Sequence, residues 1–448
     1  MPSPDLLRQA LLSSLSFILL LGASGAHAQL VFGQLVPGPG VQPNNFSDSV
    51  DVSSDGKTVV YSSAATNWIS PPTITADKAI AVDLDTGLIE VISRTTAGAV
   101  IRGEVPSVSR DGRYVAFLSN DPNLGFGVTT GWQAVRKDRQ TGELKLASAN
   151  STGVPANSPA MVDDDSVSIS GNGRYVAFEA ANFDGDTTGY DQVYVKDMDT
   201  GTLVKASVDH SGAAAARGCV LGPHALPDDG RYVVMICESA LLPGAGYNQA
   251  YLRDLQQNTT QLISRVGASG AASTSFVYRP AVSPNGRYVT FQTTSSGGLG
   301  YANGSNGNDN SGIYRRDLQT NTNLAVPKPA MSGTSYDNCR FSDVSNAGTV
   351  VMQCQVQSLA GGTSTNFQVF LHVPGTAGTP QLISVGTGGD SRGNKDSGYS
   401  VAIDASGLSL AFDSDASNLV PGDTNNVRDI FVRYESTLMW TIFSDGFE

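Results

Sequence analysis

The sequence predicts an all-β protein, a seven-bladed β-propeller of four-stranded antiparallel blades. Three observations carry this. A short phrase, a turn closed by glycine and then an apolar run, occurs seven times, with its glycines at Gly56, Gly112, Gly173, Gly230, Gly286, Gly348 and Gly407. The separations are 56, 61, 57, 56, 62 and 59 residues, a period that marks a repeat architecture. Glycine is abundant, charged residues are few, and no helical period runs through the chain outside its N-terminus, a balance that suits short strands joined by turns.

The copy at 105–150 shows each element in order. Residues 105–109 form a short first strand, A. Arg110-Asp111-Gly112-Arg113 is a hairpin turn, in which glycine readily takes the positive φ required. Residues 114–119, Tyr-Val-Ala-Phe-Leu-Ser, are strand B. A polar, glycine-rich loop follows, then strand C at 133–137, a second tight turn at 138–142, and strand D at 143–148. The C–D turn carries aspartate in five copies, Asp83, Asp138, Asp197, Asp254 and Asp317, while the sixth and seventh depart with Val373 and Tyr434. Strand D ends in serine in six copies, Ser93, Ser148, Ser207, Ser264, Ser384 and Ser444.

One four-stranded sheet leaves both faces wet. Sheets arranged radially cover each other's faces, and the ring protects most edges. A solenoid is the other arrangement of repeats, but it favours shorter units of a strand or two. The expected organisation is a leader at 1–28, an N-terminal segment at 29–46, the propeller at 47–445 and a tail at 446–448. Residues 438–443 read as the fourth strand of the last copy, so ring closure need borrow no strand from the N-terminus. The apolar residues 30–36 are expected to add an edge strand or to cover one face.

Residues 1–28 read as a secretory signal peptide. Arg8 supplies the positive charge, residues 10–22 the apolar stretch, and Ala26-His27-Ala28 the small-x-small cleavage pattern before Gln29. No cysteine follows the apolar run, so no lipid anchor is expected there, and no later stretch is apolar enough to span a bilayer. The expected location is the periplasm or the outside of the cell. A formal charge of −13 argues against nucleic acid or an anionic membrane as partner.

The four cysteines fit an oxidising compartment. Cys219 and Cys237 lie symmetrically about the turn ending at Gly230, and Cys339 and Cys354 about the turn ending at Gly348. Residues placed so face each other across an A–B hairpin. Of the three possible connectivities, only Cys219–Cys237 with Cys339–Cys354 follows this geometry.

The phrase Ser109-Arg110-Asp111-Gly112-Arg113-Tyr114-Val115-Ala116-Phe117, with the Asp and Ser signals downstream, resembles the WD-like repeat of the TolB-type propeller family. The resemblance covers about residues 47 to 445. The run Ser417-Asn418-Leu419-Val420-Pro421-Gly422-Asp423-Thr424-Asn425 is similar to exported bacterial members. The family implies a propeller but no single activity, since it includes envelope factors, protease-associated propellers and some enzymes.

Signals for chemistry are sparse. His210, His224 and His372 fall in different copies, with none at metal-ligand spacing. No G-x-S-x-G elbow occurs. The turn Ser54-Asp55-Gly56-Lys57-Thr58-Val59 lacks the spacer and aromatic of a sialidase Asp-box. The acidic B–C loops are the candidate site: Asp184, Asp186 and Asp191 in the third copy, and Asp423, Asn425 and Asp429 in the seventh. Their alternating oxygens resemble half a calcium loop, though Val195 stands where a bidentate acid would complete it. The alternative is that they cap their own turns. Trp68, Trp132 and Tyr190 are placed to stack on a sugar or peptide, or to pack between blades. The expectation is a monomeric binding or scaffolding module with a protein or glycan partner and no cofactor unless calcium. The alternative is an extracytoplasmic lyase or hydrolase acting on polysaccharide at the propeller mouth.

Overall fold

The computed structural model describes residues 18–19, 29–37, 41–68, 74–128, 131–156, 167–294, 299, 312–329, 338–355, 366–376, 380–387 and 392–436. Its strands form seven antiparallel sheets, and in six of them the strands follow one another in chain order from the axis outward. The innermost strands A are Ser47–Val52, Glu104–Val108, Val167–Ile169, Cys219–Leu221, Val277–Val282, Cys339–Val344 and Ser397–Ile403. This is the predicted seven-bladed propeller.

Period-two alternation explains the packing. In strand B of blade 1, Val59 and Tyr61 face blade 7, joining Ala402, Ala411, Ile430 and Val432. Val60, between them, faces blade 2 with Val115, Phe117 and Val135. The same arrangement repeats around the ring, so strands B and C are buried on both faces and read as nearly continuous apolar runs. The opening glycine does two things here. Gly173 has φ +69°, and a Cβ on it would lie 2.1 Å from Cδ2 of Tyr114 in the preceding blade. Turn chemistry and blade packing thus demand glycine at the same position.

The recurrent polar residues also gain roles. Arg113, at the start of strand B, binds Asp138 through two hydrogen bonds of 3.1 and 2.8 Å. Asp138 also accepts the Gln140 N–H of its own C–D turn. Arg174–Asp197, Arg231–Asp254 and Arg287–Asp317 repeat the pair. The strand D serine donates to a glutamine on strand C, as in Ser148–Gln133, Ser207–Gln192, Ser264–Gln249 and Ser384–Gln368, each at 2.6–2.7 Å. Each glutamine then donates to carbonyls of the following loop.

Both disulfides join strands A and B as expected, with Cα–Cα distances of 4.1 Å. Ring closure corrects the sequence reading. The outer edge of Asp429–Ser436, where a strand at 438–443 would sit, is taken by Gln29–Gln34, running antiparallel from Gln29↔Ser436 to Gln34↔Phe431. A two-residue strand, Ile18–Leu19, adds beyond it. The N-terminal segment therefore supplies the fourth strand of blade 7. Residues 438–443 and Ser444 lie outside the described residues, as does the 446–448 tail.

Candidate functional site

Two regions on the axis deserve the name of candidate site, one deep and one at the mouth. The deep one centres on His224. Strand A of blade 4 pairs Leu221 with Met235, and the next bond to strand B runs from Val234 N–H to the Ala225 carbonyl. Gly222, Pro223 and His224 are therefore extra, a three-residue bulge that pushes the imidazole onto the axis. There His224 Nε2 lies 2.5 Å from Asp51 Oδ1, and Nδ1 lies 2.8 Å from Asp343 Oδ1. Burial alone would push its pKa down, but the two carboxylates outweigh that and hold it well above the ordinary histidine value.

The second oxygen of each aspartate accepts a backbone N–H of the next blade, Val108 for Asp51 and Ile403 for Asp343. Below this layer the axis holds a cavity of only about 30 Å³. The A–B turns close its far end through a belt of blade-to-blade hydrogen bonds, such as Asp55 N–H to Arg110 O and Ala405 N–H to Ser54 O. Asp228 is held there by the Ser54 hydroxyl at 2.7 Å. With both ring nitrogens protonated and engaged, His224 offers no lone pair to a metal or a proton. Its geometry is that of a buried cationic tie.

The mouth opens at the other end of strands A. It is a recess of about 430 Å³ whose walls include Asp48, Asp77, Glu104, Arg279, Asp413 and Arg428, with Phe46, Val105, Phe341 and Tyr399 between them. Four lining residues, Ser49, Val105, Arg279 and Phe341, have positive φ of 53, 49, 50 and 46°. Each stands seven positions before its turn glycine, where strand A carries a one-residue bulge. The bulge turns these side chains into the mouth. A left-handed backbone at valine, arginine or phenylalanine costs on the order of 1–3 kcal/mol each, and such strain concentrates at functional sites.

Electrostatics mark the same place. Asp413 is fully buried and burial pushes it up to about 7. Its Oδ1 accepts the Ser400 N–H at 2.8 Å, while Oδ2 makes no hydrogen bond and lies 3.7 Å from Arg428 Nη1. Guanidiniums lie over the aromatic rings: Arg279 is 3.9 Å from the Phe341 centroid, and Arg428 is 4.1 Å from that of Tyr399.

The loops singled out in the sequence lie elsewhere. In blade 3 the buried Asp186 is answered by Lys205 Nζ at 3.1 Å and the Thr188 hydroxyl at 2.8 Å. Asp184 has φ 49°, and burial pushes Asp191 up. In blade 7, Asn425 Nδ2 donates to Asp429 Oδ1 at 3.2 Å and to the Pro43 carbonyl at 3.1 Å. Asp423 accepts from Gln42 at 3.4 Å. Among the described residues no three His, Cys, Asp or Glu side chains are grouped to hold a metal ion. Trp68 is buried, with its indole N–H donating to Ser63 Oγ, and Tyr190 is exposed.

No family model and no curated protein matches the chain. Among solved structures it is similar to the oligogalacturonate lyase of Vibrio parahaemolyticus, at 12% identity over 95% of this chain and 98% of that one, with a TM-score of 0.54. It is also similar to the β-propeller domain of the Trilobed protease from Pyrococcus furiosus, at 10% identity over 87% and 93%, with a TM-score of 0.51. That domain has an open velcro topology, whereas here the N-terminal strand closes the ring. A putative TolB from Agrobacterium tumefaciens aligns at 13% identity over 63% and 80%, with a TM-score of 0.38, too slight a likeness to argue from. At these identities the likeness is one of fold: the chain is a seven-bladed β-propeller.

Proposed function

We propose that this propeller is an exported binding module that takes its ligand in the mouth. The observation that carries this is the set of four left-handed bulge residues, Ser49, Val105, Arg279 and Phe341, all lining one recess. The strain recurs at the same bulge in four blades and aims four side chains at a shared space. Two disulfides support an oxidising location, and no helix among the described residues is long and apolar enough to cross a membrane.

A polysaccharide-acting enzyme is the second reading. One observation favours it: Asp413, raised to about 7, lines the same recess as Asp48, Asp77 and Glu104. A carboxyl poised near neutrality suits general acid–base work.

Arrays of short peptides and oligosaccharides, probed with the wild-type protein, test the reading. Tyr399→Ala, in the mouth, should abolish any specific binding, while Arg110→Ala, on the A–B turn face, should leave it intact. The reverse pattern would move the site to the turn face. Product formation from an array oligosaccharide, lost in Asp413→Asn, would favour the enzyme.

A further inference from the structure

Six aromatic side chains are exposed among the described residues: Phe46, Phe126, Tyr190, Tyr247, Phe276 and Tyr278. All six lie on the mouth face, in a B–C loop or at the start of a strand A. The turn face has aromatic residues too, but covers them. Tyr114, Tyr175, Tyr232 and Tyr288 open strand B in blades 2–5, and each ring has the arginine of its own turn 4.7–5.1 Å from its centroid. Each also packs against the turn glycine of the next blade. Rings left bare without purpose would fall on both faces; these fall on one, as at a binding surface.

Three of the six form a series. Phe126, Tyr190 and Tyr247 stand in the B–C loops of the consecutive blades 2, 3 and 4, and are 44, 46 and 66% exposed. The loop backbones present them. Gly125 and Gly127, with φ of 86 and 72°, flank Phe126, which itself has φ 59°. Gly189, with φ 77°, precedes Tyr190, and Gly244, with φ 77°, stands three places before Tyr247. A left-handed backbone at phenylalanine is strained, and what it achieves here is a ring left in water.

The chemistry around the series is that of an uncharged partner. Asp186 is answered by Lys205, Arg102 by Glu104 and Arg428 by Asp415, and Asp48 and Arg279 are engaged within the protein as well. A net charge of −13 disfavours an anionic polymer. Uncharged hydrogen-bonding side chains, Asn123, Thr188 and Asn248, stand within three positions of the respective rings. A sugar offers apolar C–H faces bounded by hydroxyl edges, and the negative face of an aromatic ring attracts such hydrogens. A protein partner would need a continuous, well-packed patch within a total buried area of about 1,200–2,000 Å². Rings on three separate loops instead suit a repeating ligand that gives each ring a unit of its own.

We infer that the B–C loops of blades 2–4 form a track for a neutral glycan chain, whose sugars stack on Phe126, Tyr190 and Tyr247. This rests on the mouth face being the ligand side. It extends the site outward from the recess, with which the three rings share no lining residue.

The test is native affinity electrophoresis of the whole protein through gels containing dextran, galactomannan or hydroxyethylcellulose, with polygalacturonate as the charged control. At least one neutral polysaccharide should retard the wild type, and polygalacturonate should not. Each of Phe126→Ala, Tyr190→Ala and Tyr247→Ala should weaken the apparent affinity about three- to ten-fold, and the triple variant should run unretarded. Melting curves check that the variants fold, as exposed positions should allow. No retardation in any neutral gel, or retardation by polygalacturonate alone, would overturn the neutral glycan. Retardation kept in the triple variant but lost in Tyr399→Ala would overturn the track and leave the recess as the ligand site. Retardation kept in both would overturn the track and the recess together. Loss in the triple variant with retention in Tyr399→Ala would uphold the track and count against the recess.

Discussion

His224 Nδ1 lies 2.8 Å from Asp343 Oδ1, which ties blade 4 to blade 6 across the axis. Asp51 completes the tie to blade 1. Each carboxylate also holds the backbone of the next blade, so one imidazolium organises the inner strands of five blades. The axis is thereby made rigid and nearly solid, and the open space is left to the mouth above it.

Replacing His224 with alanine should be strongly destabilising. It leaves two buried carboxylates facing each other without a cation, a change that costs about 3–5 kcal/mol where a buried pair is broken. The sign with pH follows from a folded-state pKa raised above the unfolded value near 6.5. The stabilisation is complete below that value and is lost only as pH rises through the raised one. Urea melts of wild type and His224→Ala should therefore differ most at mildly acidic pH and converge toward alkaline pH. A gap that instead grows on the alkaline side would show that the imidazole is neutral.

Asp138 is expected to set part of the acid limb of stability. The Arg113 guanidinium is the largest cause of its lowered pKa, and turn N–H groups assist, against the opposing effect of burial, leaving it at about 2. Its stabilisation is present above the unfolded value of about 3.9 and disappears as pH falls through about 2. Melting temperatures of Asp138→Asn and wild type should differ at neutral pH and merge in that acid window. An unchanged difference there would mean that the turn, not the ion pair, sets the cost.

Removing the Cys219–Cys237 bridge by a double alanine substitution should cost about 3 kcal/mol by the chain-entropy argument for a loop of this size. The Cys339–Cys354 pair should behave alike, since the two loops span 18 and 15 residues. Denaturant unfolding of each double variant, compared with wild type without reductant, measures each bridge. With reductant added to all three proteins, both bridges are open in each and their stabilities should coincide; wild type remaining more stable than the variants under reductant would count against it.

The fold was legible because it rests on local rules repeated seven times. Gly173 marks a turn in the sequence, and Arg113 and Asp138 recur at fixed offsets, so register and blade count follow. Cys219 and Cys237 could be paired from symmetry about a hairpin alone. The mouth was not legible, because nothing about Val105, Arg279 or Phe341 as residue types announces a left-handed backbone. Their signal is positional, seven places before each turn glycine, and becomes visible only once a bulge is known to sit there. His224 was hidden for a related reason: its partners Asp51 and Asp343 lie 173 and 119 positions away, and only ring closure brings them together. The closing strand was misread because 438–443 has the composition of a strand, and composition does not say which edge is already occupied.

Blade 7 should be improvable by restoring the repeat it lacks. Where four blades pair a strand C glutamine with a strand D serine, blade 7 has Asp429 and, by the same register, Val36, because its strand D comes from the N-terminus. Asp429 is fully buried, and its Oδ2 and the nearby Gln34 Nε2 make no hydrogen bond. Burial pushes this carboxyl up to about 7. With a folded value above the unfolded value of about 3.9, wild type loses stability as pH rises from about 4 to about 7. The double substitution Asp429→Gln, Val36→Ser should remove that loss and stabilise the protein above neutrality by about 1–3 kcal/mol, the cost of a buried unsatisfied polar group. Calcium held by Asp423, Asn425 and Asp429 is the competing account. It requires a chelator to lower the wild-type melting temperature and the double variant to be less stable in added calcium. Melts of both proteins across this pH range, with calcium and with chelator, separate the two, and the expected outcome is a chelator-insensitive wild type and a more stable variant.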